Sequence, residues 1–174
     1  MFRPLLLSLL VAVSGMVQAA TFKLEVNASD ANGHVRKHFV YNASGCHGDN
    51  VSPSLTWHGA PKGTRGFAVT VYDPDAHGGW WHWIVLDIPP TTHQLKQGAT
   101  LPPGAYALKN SFGHARWDGP CPPPNDPPHH YIFTVYALDT AALGLSADAS
   151  PVMAKTALDK HNLGQASVTY TFGR

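Results

Sequence analysis

Two segments carry the residues that could do chemistry. In residues 72–89, Asp73 and Asp75 flank Pro74 at the end of one apolar run, and His82 stands between Trp81 and Trp83 at the start of the next. In residues 119–133, six prolines and Cys121 lead into His129, His130 and Tyr131. Imidazole N–H groups, an aromatic hydroxyl and exposed backbone N–H groups that converge on one point suit the oxygens of a phosphate. The same Asp, His and Tyr in one pocket could run acid–base hydrolysis. Against covalent catalysis, no Ser, Thr or free Cys nucleophile stands beside these histidines in the motifs.

Taken alone, Asp73-Pro74-Asp75 reads as a pair of turn-capping aspartates, and His82 as an ordinary strand histidine. The balance shifts because two apolar strands each start at a polar rim with a histidine. Prolines hold neighbouring groups in place at little entropic cost. The proline run therefore reads as the stiff wall of a small pocket whose floor carries His82 and His129, with Asp73 and Asp75 supporting His82 from behind.

The elements that must position these groups are mostly strands. Residues 22–26, 35–42, 53–57, 66–72, 81–88, 129–138 and 167–172 alternate or are β-rich, and Asn32-Gly33, Pro61-Lys62-Gly63, Pro89-Pro90 and Pro102-Pro103-Gly104 interrupt them. Residues 66–72 and 81–88 are apolar on both faces, as in mid-sheet strands, and are expected to pair as a hairpin-like unit. One helix is predicted, with Ser150 as N-cap, Pro151 in its first turn, Ala154, Ala157, Leu158 and His161 on one face, and Gly164 ending it after Leu163. Many short strands, one late helix and Pro/Gly turns predict a mainly β chain, an antiparallel β-sandwich with a few helices at its edge.

The 174 residues begin with Arg3, an apolar run over residues 5–13 and a cleavage-site pattern at Val17-Gln18-Ala19. That is the pattern of a secretory signal peptide over residues 1–19, with cleavage after Ala19 or, second, Ala20. The run is too short for a membrane anchor. Residues 20–174 then form one domain, placed in the periplasm or secreted. Losing Arg3 balances its Lys and Arg against its Asp and Glu. No basic stripe exists, which argues against nucleic acid as a partner. Cys46 and Cys121 suit one disulfide in an exported protein. Metal ligation with His47 and His129 is the rival reading, but there is no CxxC spacing, and neither His47 nor His129 belongs to an HxxxH spacing. Of the other histidines, His34, His38, His58, His93, His114 and His161 read as solvated, while His47, His77 and His130 lie nearer the expected pocket. Asn27, Asn42 and Asn50 each open an Asn-x-Ser sequence, relevant only where glycosylation machinery is present.

Asp73-Pro74-Asp75-Ala76 followed by Trp81-His82-Trp83, and Gly119-Pro120-Cys121-Pro122-Pro123 followed by His129, Tyr131 and Phe133, resemble the two site motifs of the phosphatidylethanolamine-binding protein family. The bacterial branch known as Raf-kinase-inhibitor-like proteins is the nearer likeness. Residues 50–57 and 59–64 and the late helix and strand fit as well, so the resemblance covers nearly all of the mature chain. It implies a Greek-key β-sandwich with a C-terminal helix and short peripheral helices. It also implies a pocket for a phosphate or phospholipid head group built from Asp73, Asp75, His82, Gly119, Pro120, Pro122, His129 and Tyr131, with no metal or cofactor. Three positions depart from the family pattern: His77 replaces a usual proline, within a shortened loop over residues 76–80. Trp117 replaces a usual tyrosine, and Asn125 a frequent glycine.

The leading functional reading is an exported binding protein for a small anion, able to modulate or inhibit a partner protein. A hydrolase of small phosphoesters in the same pocket is the alternative. Nothing in the sequence signals an oligomeric state.

Overall fold

The computed structural model describes residues 21–174, so the expected signal peptide lies outside the described residues. Strands β1 (Lys23–Val26), β2 (Leu55–His58) and β5 (Gln94–Leu95) form a small sheet in the order β1-β2-β5. Strands β3 (Gly66–Asp73), β4 (Trp80–Ile88), β6 (Tyr106–Ala107), β7 (His129–Leu138) and β8 (Asn162–Phe172) form a larger one in the order β6-β4-β3-β7-β8. Every pairing within the two sheets is antiparallel.

The period-2 alternation of the central strands sorts their side chains onto two faces. Phe67, Val69, Val71, Trp83, Val85, Phe133 and Val135 meet Leu24, Val26, Leu55 and Trp57 of the small sheet in one core. Ala68, Ile84, Leu86, Tyr136 and Leu138 point the other way, where Ala154 and Leu158 of helix α1 (Pro151–His161) cover them. Both faces of β3 and β4 are thus buried, as their composition predicts. Ser150 caps α1 by accepting from the Met153 N–H.

Two expectations are corrected, and two short strands were not foreseen. Residues 35–42 are no strand. They hold an isolated bridge at Val35 and a 3-10 turn at Lys37–Phe39, the one short helix present among the described residues besides α1. Phe39, Val40 and Tyr41 are buried, but the Val40 N–H bonds back to Lys37 and the Tyr41 N–H to Pro120. The apolar signal there reflects burial without a ladder. The helix stops at His161, and Gly164 lies within β8, because the backbone from Asn162 onward pairs with β7. Strands β5 and β6, two residues each, carry too short a pattern to read.

Candidate functional site

Strands β3 and β4 meet as a hairpin with Asp73 opposite Trp80, while β7 runs along the other side of β3. The start of β7 therefore comes beside the β3–β4 turn. There Asp73 does two jobs. Its Oδ1 accepts the backbone N–H groups of Asp75 (2.8 Å) and Ala76 (3.2 Å), which is the turn-capping role. Its Oδ2 lies 2.7 Å from His129 Nδ1, both side chains being buried. Asp75 Oδ2 accepts the backbone N–H of His130 (2.6 Å) and faces its Nδ1 (2.9 Å). Those two donors hold the Asp75 carboxyl below its ordinary pKa.

The aspartates thus secure His129 and His130, not His82 as the sequence suggested. The support of His82 comes from a residue with no motif of its own. Its Nδ1 donates to the Asp118 carbonyl at 2.7 Å, and the Asp118 N–H returns a bond to the His82 carbonyl at 3.2 Å. The fully buried Asp118 carboxylate gathers Asn50 Nδ2 (3.1 Å), Asn110 Nδ2 (2.9 Å), His114 Nδ1 (2.7 Å) and Arg116 Nε (3.2 Å). A single Asp ahead of Gly-Pro gives no sequence signal for such a hub. His114, read as solvated, belongs to this hub, and His38 and His161 pair with Asp49 and Asp139. Asn50 is engaged at both ends of its amide, since its Oδ1 accepts the Gly119 N–H at 2.8 Å.

A cavity of about 410 Å³ opens where these segments converge. Asp73, Asp75, His82, Pro122, His129 and Tyr131 line it, together with His77, Trp80, Phe112 and Asp126. Gly119 and Pro120, expected in the pocket, do not line it. A Cβ on Gly119 would come within 1.9 Å of the Phe39 carbonyl oxygen, so its place in the motif answers to close backbone packing. Its N–H is taken by Asn50 and does not face the cavity. Trp117 also points elsewhere, donating from Nε1 to Phe39 and stacking on Phe133. Its replacement of tyrosine leaves this pocket untouched. His77 does line the pocket, whereas His47 and His130 do not. Asn125 adopts φ 69°, the left-handed conformation asparagine tolerates.

The wall formed by Ser44, Cys121, Pro122 and Pro123 is tied twice. Cys46 and Cys121 form a disulfide, which leaves no thiolate for a metal. The Arg174 guanidinium donates from Nε to Pro122 (2.7 Å) and from Nη1 to Gly45 (2.8 Å), joining the same two loops.

At the floor, His82 and Tyr131 pack edge to face with ring centroids 5.1 Å apart. They are only 2% and 1% exposed, and neither His82 Nε2 nor the Tyr131 hydroxyl has a hydrogen-bond partner. Burial pushes the His82 pKa down and the Tyr131 phenol up, so both are neutral at pH 7.

The profile of the family described as phosphatidylethanolamine-binding protein matches residues 28–173. The chain belongs to the phosphatidylethanolamine-binding protein family. It is 40% identical to YbcL of Escherichia coli over 170 residues, 93% of each chain. The crystal structure of YbcL, described as a new member of the mammalian family, superposes with a TM-score of 0.84 over 88% of this chain and 98% of that one. The structure of CT736 from Chlamydia trachomatis gives a TM-score of 0.76 at 28% identity, covering 90% and 99%. The candidate lipoprotein LppC of Mycobacterium tuberculosis is 43% identical over 128 residues, 73% of this chain and 62% of LppC. The two sheets and late helix are those of the phosphatidylethanolamine-binding proteins, and β8 closes the chain after that helix.

Proposed function

We propose that this member of the phosphatidylethanolamine-binding protein family is an exported binding protein whose cavity takes a small phosphate-bearing anion, and that the filled pocket modulates a partner protein. The observation that carries the reading is the pair of buried, unpartnered polar atoms on the cavity floor, His82 Nε2 and the Tyr131 hydroxyl. Leaving such groups without a partner costs about 1–3 kcal/mol each, and a ligand that bonds them recovers it. His129, held by Asp73 beside them, adds a third polar group. The disulfide and the lipoprotein-named relative support export.

Titration calorimetry with inorganic phosphate tests the site. His82→Ala and His129→Ala should each weaken binding by about tenfold to a hundredfold, the loss of one charge-assisted hydrogen bond. His93→Ala, remote from the cavity, is the control. Equal losses in all three variants, or none, would refute the placement. N-terminal sequencing of the exported protein should begin at Ala20 or Thr21, and recovery of Met1 would refute export.

The Asp73–His129 pair favours one second reading, acid–base hydrolysis of a small phosphoester. Steady turnover of a phosphomonoester, abolished by His129→Ala, would establish it in place of binding alone.

A further inference from the structure

Resting on the anion-binding reading, the hydrogen-bond polarity of the cavity floor narrows the ligand further. A backbone carbonyl can only accept, so the 2.7 Å contact to Asp118 places the proton of His82 on Nδ1. In the neutral ring, the buried and unpartnered Nε2 of this cavity-lining residue then carries a lone pair and no proton. An oxyanion that brings only lone pairs meets repulsion there.

The surrounding charges act in the same sense. Asp73, Asp75 and Asp126 line the cavity, and no Lys or Arg does. Asp126 Oδ2 lies 3.6 Å from His129 Nε2, and both residues line the cavity. Besides the Tyr131 hydroxyl and the His77 and His129 rings, a fully ionised anion would face three carboxylates and one imidazole lone pair.

We infer that the pocket selects an oxyanion that still carries a proton, inorganic phosphate or a phosphomonoester, over sulfate or a phosphodiester. The P–O–H hydrogen donates to His82 Nε2, the Tyr131 hydroxyl donates to a second phosphate oxygen, and the shed repulsion is the source of selectivity. Protonating His82 instead would put a charge in a site only 2% exposed. Its burial already disfavours that form, despite Asp73 of β3 and the Asp118 loop facing it. From β7, Tyr131 faces it as a neutral phenol, with His129 and Asp126 lining the same cavity.

Phosphate and head-group sources separate on this criterion. Inorganic phosphate keeps a proton across the neutral range, and a phosphomonoester regains one below about pH 6. Sulfate and a phosphodiester head group carry none.

The test is calorimetry at pH 6 with inorganic phosphate against sulfate, and phosphoethanolamine against glycerophosphoethanolamine. The protonated member of each pair should bind about tenfold or more tightly. In His82→Gln the side-chain amide can offer an N–H in place of the lone pair, and the phosphate-to-sulfate ratio should fall to within about threefold. Equal affinity for phosphate and sulfate in the unaltered protein overturns the inference and leaves the anion site standing. Discrimination that persists unchanged in His82→Gln overturns its assignment to His82. Failure of all four ligands to bind removes the anion-binding reading itself.

Discussion

Replacing Cys46 and Cys121 together by alanine cuts the covalent tie between the two loops that wall the cavity. The bridge spans a sequence separation of 75 residues. In the chain-entropy account, closing a loop of that length removes about 15 cal/mol/K from the unfolded state, or about 4.5 kcal/mol at 25 °C as an upper figure. The domain of about 150 residues unfolds with an entropy near 2.1 cal/mol/K per residue, about 0.32 kcal/mol/K in total. The melting temperature should therefore fall by as much as about 14 °C.

The native wall should persist below that lower transition, because Arg174 still joins Pro122 and Gly45 through its guanidinium. Phosphate affinity should weaken modestly in the double alanine variant and further when Arg174→Met is added. Thermal unfolding by circular dichroism, with thiol titration of unreduced protein alongside, reads the first part, and calorimetry the second. A melting point within about 3 °C of the parent would show that the bridge contributes little, against the entropy argument. Two free thiols in the native protein would refute the bridge itself.

Asp73→Asn keeps an oxygen for the Asp75 and Ala76 N–H groups but removes the carboxylate from His129. It should cost about 1.5–3 kcal/mol in urea unfolding, the range for a hydrogen bond to a charged group, and should also weaken phosphate binding. An unchanged urea midpoint would show that this contact adds nothing. Acid should destabilise the protein in two stages. His82 has a folded pKa below its ordinary 6.5, so the unfolded chain takes up its proton first; stability is full above about 6.5 and declines as pH falls below it. Asp75 has a folded pKa below its ordinary 3.8, so its contribution is lost only at lower pH still. Urea midpoints from pH 8 to pH 3 should show both, and His82→Gln should flatten the first decline; an identical slope in the variant would sink the assignment.

What the chain declares along its own length is the set of strands and the rim they share. Residues 129–138 are a β-rich run bounded by Pro128, apolar beyond its two leading histidines save for Thr134, and β7 occupies that span. Asp73, His82 and His129 stand at the ends of such runs, and strand ends are where a sheet stops and side chains can gather. The family motifs mark the same positions. Which aspartate holds which histidine is a different kind of information. It depends on β7 lying beside β3 in the sheet, 56 residues apart in sequence for Asp73 and His129, and on the β3–β4 turn folding over the start of β7. The support of His82 is harder still to foresee, because its acceptor is a backbone carbonyl, an atom every residue carries. Likewise Gly119 reads as a ligand contact in a motif, yet its missing Cβ serves the close approach of Phe39, a neighbour 80 residues earlier. Local sequence records propensity and hydrophobic period; the direction of each hydrogen bond at the site is decided by sheet order and loop packing, where distant segments first meet.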